Sequence, residues 1–157
     1  MITKFLKRIN PFASKIRLRV QVEIKLFDER GDLKENRFIP KNTVTTAGKN
    51  GSADQILAAP SLAKPGWMAV GTGSPGANAL GSEIGSSRVA LSSKTRSNAI
   101  ITMVASWNPG TGTGNITEVG VFDASSSGNM WLSATGFTTV PKTAADTLEV
   151  TWTLTYA

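Results

Sequence analysis

The sequence predicts an all-β protein: an antiparallel β-sandwich or small barrel of about seven to eight strands, with one short helix and an extended N-terminal arm. Three observations carry that prediction. Residues 147–156 alternate without a break, with Leu148, Val150, Trp152, Leu154 and Tyr156 on one side and Thr147, Glu149, Thr151, Thr153 and Thr155 on the other. A period of two in β-branched and aromatic residues marks a half-buried strand, because successive side chains leave opposite faces of the pleat. Residues 16–27 repeat the pattern, Ile16, Leu18, Val20, Val22, Ile24 and Leu26 against Arg17, Arg19, Gln21, Glu23 and Lys25. Frequent strands joined by Gly- and Ser-rich connections then favour a sandwich or barrel over a mixed fold.

In chain order, residues 1–15 form the arm. Ile2, Phe5, Leu6 and Ile9 recur at roughly helical spacing with Lys4, Lys7 and Arg8 between them, and Asn10-Pro11 stops any helix. So short an amphipathic piece is unstable alone and is expected to order against a partner. Residues 16–27 and 33–39 make a hairpin around Asp28-Glu29-Arg30-Gly31-Asp32. A short helix is expected near residues 52–58, with Ser52 as its cap and Pro60 as the stop beyond its end. Residues 67–71 read as a buried strand opening into a long Gly/Ser/Ala/Pro/Asn loop. Next come a short strand at 88–91 and a long one at 98–107.

Residues 115–123, 129–137 and 147–156 are expected to form an antiparallel meander, with Ala-Ser-Ser-Ser-Gly as the first turn. Pro141 cannot donate to a ladder, so it belongs outside the sheet or on an edge. One layer cannot hide the apolar face of a meander, and the earlier strands must cover it.

At 157 residues and 40% hydrophobic, the chain suffices for one core, burying about 70% of its unfolded surface; residues 16–157 form one domain. There is no cysteine and no histidine. Disulfides, thiolate zinc sites, imidazole-bound metals and His-dependent triads are thereby excluded. Two carboxylates would suffice for glycoside hydrolysis, but no local pairing suggests it. The expectation is a non-enzymatic protein without cofactor. No stretch approaches the ~20 apolar residues of a membrane span, and the N-terminus lacks the apolar block of a secretory signal; synthesis in the cytoplasm is expected.

Charge is concentrated at the start. Residues 1–50 hold twelve Lys and Arg against five acids, whereas residues 51–157 hold five against six. Lys4, Lys7, Arg8, Lys15, Arg17 and Arg19 precede any acid. This arm could neutralise phosphates, but it lacks interleaved aromatics and a reading helix, so specific nucleic-acid recognition is not expected. The reading adopted is an anchor, with Phe5, Leu6, Ile9 and Phe12 entering apolar grooves on a partner and the six cations meeting acidic surface.

Three internal features invite chemistry. Residues 71–76, Gly-Thr-Gly-Ser-Pro-Gly, resemble a phosphate cradle, but no lysine comes at P-loop spacing, and a plain loop is the better reading. Glu118 is in step with Ile116 and Phe122 and so points inward; its expected partner is Arg88, the pair fixing strand register. A water-facing edge glutamate is the competing reading. Trp67, Trp107, Trp131 and Trp152 are assigned to the core for the most part, since a carbohydrate site would need an exposed one.

With these residues in place, the series TTAGKNGSADQIL, WMAVGTGSPGANALGSEIGSSR, NAIITMVASW, GNITEVGVFDASSSGNMWLSATGF and KTAADTLEVTWTLTY resembles a widespread type of small tailed-bacteriophage virion protein. The resemblance covers residues 44–157, and residues 16–34 more loosely; residues 1–15 lie outside it. It implies a structural role without catalysis, as a head decoration or cement protein or as a tail, collar or fibre component. It further implies the major capsid protein or other virion proteins as partners, a homo-oligomer, and residence on the virion. A host-surface glycan-binding module is a third reading.

Overall fold

The computed structural model describes residues 16–157. Its elements are β1 (Leu18–Phe27), β2 (Leu33–Ile39), β3 (Asn42–Val44), α1 (Thr46–Asp54), β4 (Trp67–Gly71), β5 (Val89–Ala90), β6 (Ser93–Ser97), β7 (Ile100–Trp107), β8 (Gly114–Phe122), β9 (Met130–Lys142) and β10 (Thr147–Tyr156). They build two five-stranded sheets, ordered β2-β1-β10-β7-β6 and β3-β9-β8-β4-β5, and every strand pair is antiparallel. The all-β sandwich is thus the observed architecture, with β3 and β6 added to the strands legible in the sequence.

The first sheet is built on the two alternating runs. β1 and β10 pair along their whole length, from Leu18 opposite Tyr156 to Phe27 opposite Thr147. Their apolar sides therefore coincide, and Val22, Ile24, Leu26, Leu148, Val150 and Trp152 are all buried. Val70, Ile116, Val119, Val121, Leu132 and Val140 of the second sheet close the same core from the other side. Each such aliphatic side chain stabilises by roughly 1.5–3 kcal/mol on full burial.

The meander expected at the C-terminus does not form. β8 and β9 pair in the second sheet, but β10 crosses to the first and lies between β1 and β7. Alternation announces a strand and its buried face, not the sheet it joins, and two inner faces that pack on each other look alike in sequence. β9 also runs further than expected, through Pro141, which faces Asn115 of β8. β3 covers only Leu132–Ala134 on the other side of β9, so Pro141 occupies an edge.

The helix lies earlier than expected. Thr45, not Ser52, caps it: the Thr45 hydroxyl oxygen accepts from the Gly48 amide at 3.0 Å. The same hydroxyl donates to the Met130 carbonyl, and the Thr45 amide donates to the Trp131 carbonyl at 3.0 Å. Ser52 instead donates back to the Gly48 carbonyl within the helix. A cap tied to β9 wins over one that is merely available. Gly48 and Gly51 explain the close seat: a Cβ at the first would overlap the Trp131 carbonyl, and at the second the Trp131 ring.

Candidate functional site

A smaller apolar group, Ala69, Leu80, Phe122 and Met130 with half-buried Trp67 against it, lies apart from the main core. The long connection from β4 to β5 contributes Leu80 to it. The connection is held by Glu118, which is fully buried. One carboxylate oxygen accepts from the amides of Gly73 at 3.0 Å and Ser82 at 2.7 Å, and the other from Gly81 at 2.9 Å. The Gly-rich segment does cradle an anion, and the anion is the protein's own. A side chain at Gly71 would collide with the same carboxylate.

The expected Glu118–Arg88 pair is therefore corrected. Arg88 pairs with Glu83, through Nε at 3.1 Å and Nη2 at 2.6 Å, while its guanidinium lies 3.7 Å over the Phe122 ring and donates to the Ser127 carbonyl. The β8–β9 pairing is irregular between Ile116 and Glu118, so Ile116 packs in the main core with Val119 and Val121 while Glu118 meets the loop. The bulge breaks the step that aligned the two residues in sequence. The edge-strand alternative also falls, since β8 lies between β9 and β4.

At one end of the sandwich the charges close on one another. Lys34 donates to Asp146 at 2.8 Å, and the other Asp146 oxygen accepts from the Thr143 amide and hydroxyl, each at 2.8 Å. The Lys34 ammonium, with the Thr143 donors, holds the Asp146 carboxyl down to about 2 against a cost of burial. Lys142 is itself buried and donates to the main-chain carbonyls of Asp146 at 2.7 Å and Asn108 at 3.2 Å. Burial lowers its pKa, and the nearby Asp146 charge opposes that shift.

The opposite end is open. A cleft of about 480 Å³ separates the sheets there, floored by Leu18, Ile101, Met103, Leu154 and Tyr156 of the first sheet and Val44, Trp131 and Leu132 of the second. Ser52 of α1 and Gln55, its C-cap, stand on one lip; Lys64, Lys94 and Arg96 contribute the cations. No carboxylate is among its described lining residues. Lys94 reaches the Pro65 carbonyl at 2.7 Å and Arg96 the Asn98 carbonyl at 2.8 Å. Neither they nor Lys64 take part in an ion pair among the described residues.

Of the anchor residues, Lys4, Phe5, Leu6, Lys7, Arg8, Ile9, Phe12 and Lys15 lie outside the described residues. Arg17 and Arg19 are exposed at the cleft end, Arg17 exchanging main-chain bonds with Ala157 and Arg19 lying opposite Thr155. Trp107, Trp131 and Trp152 are buried. Sequence reasoning missed Lys64, Lys94 and Arg96; the one available signal was the i, i+2 spacing of the two cations in Ser-Lys-Thr-Arg-Ser. Comparison with known proteins brings nothing further to this site: no family model, curated protein or solved structure matches the chain.

Proposed function

We propose that the chain is a non-enzymatic structural protein of a tailed-bacteriophage particle, a capsid decoration protein that docks on the assembled shell and stabilises it. The observation that carries this reading is the saturated Glu118 carboxylate. A buried acid beneath a Gly-rich loop is where catalysis would be sought, and here three main-chain amides occupy it. The loop and strand that make this staple come from WMAVGTGSPGANALGSEIGSSR and GNITEVGVF, two of the segments that resemble virion proteins. In this reading those segments supply a scaffold.

Decoration acts by mass action: a protein that binds only the assembled lattice raises the free energy needed to open it. Arrayed copies make weak single contacts sufficient. The cationic residues 1–19 supply attachment to acidic capsid surface in this reading. The test is the copy number of the chain per purified particle, by quantitative mass spectrometry against the major capsid protein. Parity or a simple fraction of it is expected. A count of a few rings' worth would move the chain to the tail, collar or fibre base, and absence from particles would end the virion reading.

A further inference from the structure

Strand register shows what the cleft is made of. Val20, Leu154, Ile101 and Arg96 form one row across the first sheet, and Val22, Trp152, Met103 and Lys94 form the next. Residues in register share a face. Two rows of the sandwich interior thus end, at the edge strand β6, in a cation instead of an apolar side chain. All five residues of β6 are exposed, and among the described residues it pairs with β7 alone.

We propose that this cleft is a docking site for an acidic, extended segment of a partner protein, which adds to the free edge of β6, seats apolar side chains between the sheets and brings its carboxylates to Lys64, Lys94 and Arg96. Charge fixes the occupant. Inward-pointing cations on an edge strand ordinarily deter pairing with another strand. They repel a neutral or basic strand and match an acidic one, so the same two residues select the partner. The chain's own N-terminal residues carry Lys4, Lys7, Arg8 and Lys15 and no acid, the wrong sign for this cleft.

Spacing favours a peptide over a single anionic head group. Lys94 and Arg96 are two residues apart on one strand, about 7 Å, which is also the repeat of same-side residues on an incoming strand. The volume, about 480 Å³, lies within the roughly 300–1,000 Å³ of ligand sites. Beyond Gln55 the apolar surface continues in Ile56, Leu57 and Leu62, which are 84%, 60% and 40% exposed, so an occupant longer than the cleft still meets apolar side chains. The assignment does not depend on residence on a virion.

The test sorts a yeast-displayed library of random ten-residue peptides against the full-length chain. Enriched peptides are expected to alternate acidic and apolar residues, to bind the Lys94→Glu/Arg96→Glu protein at least about tenfold more weakly, and to slow hydrogen exchange at the amides of residues 93–97. Lys64→Glu, outside both sheets, should weaken binding several-fold with no risk to folding. Neutral or basic enriched peptides, binding indifferent to both variants, or unprotected β6 amides would overturn the proposal. Complete displacement of the peptides by a poly(dT) oligonucleotide would do so as well, marking the cleft as a nucleic-acid groove.

Discussion

Where β9 turns into β10, Lys34 and Lys142 converge on Asp146 and neighbouring carbonyls; at the other end of the same sandwich, Lys64, Lys94 and Arg96 border an apolar cleft with no acid among its described lining residues. The first arrangement is closed. A buried ammonium is tolerated only with its hydrogen bonds made, and Lys142 has two carbonyl acceptors. In the second, the cations stay near water and their strongest interaction is left for another molecule. The difference separates charge that specifies the fold from charge that the fold merely presents.

Substitutions should separate the two classes by size of effect. The largest is expected at Glu118, whose replacement by Ala removes the acceptor of three amides beneath the β4–β5 connection. A loss of about 3–5 kcal/mol in urea unfolding is expected; a loss under about 1 kcal/mol would show that the connection is held by other means. Next come two tryptophans. The Trp107 indole donates to the Ser87 carbonyl, whereas the buried Trp152 indole N–H has no partner among the described residues. Trp107→Phe should therefore cost about 1 kcal/mol more than Trp152→Phe, the difference being the carbonyl left unpaired. Equal losses would mean that packing alone decides.

Asp146→Asn comes third. The carboxylate is covered by its neighbours but lies close to the molecular surface, where solvent weakens the pair, so the expected loss is about 1 kcal/mol. Its folded pKa of about 2 lies below the ordinary 3.8, so acid protonates the unfolded chain first. The contribution is whole above about pH 4 and disappears as pH falls towards about 2. A wild-type minus Asp146→Asn stability difference that stays flat across this window would contradict the assignment. The smallest effect belongs to the cleft: Lys94→Glu/Arg96→Glu should change thermal stability by less than about 0.5 kcal/mol. A larger loss would make these cations part of the scaffold.

The two ends also differed in how far the sequence revealed them. β1 and β10 could be read because both alternate over ten residues, and their faces proved to be the buried ones. β6 could not, since Ser-Lys-Thr-Arg-Ser has no apolar residue to alternate, as suits an exposed edge. The helix was misplaced because Thr-Ala-Gly-Lys-Asn-Gly-Ser-Ala-Asp is a poor helix former by propensity, and its position is set by the fit of Gly48 and Gly51 against Trp131. For Glu118 the pattern leaves a buried and a water-facing reading open and points to the wrong partner, because a bulge changes which face a residue joins and leaves no mark in the pattern. Nothing local joined Lys64 to Lys94 and Arg96; only the packing of the sheets does.

The crossing of β10 into the first sheet also has a kinetic side. The middle strand of that sheet is the last of the described strands, and it pairs with the first of them, Leu18 against Tyr156. On a ribosome the β1–β2 hairpin must wait, with one edge open, until residues 147–156 have been made. Contacts so distant in sequence slow folding, and an open hydrophobic edge invites association with other chains meanwhile. In the second sheet β8 and β9 are consecutive, and all of its strands precede β10, so one half of the core would be in place as a template before the other can close.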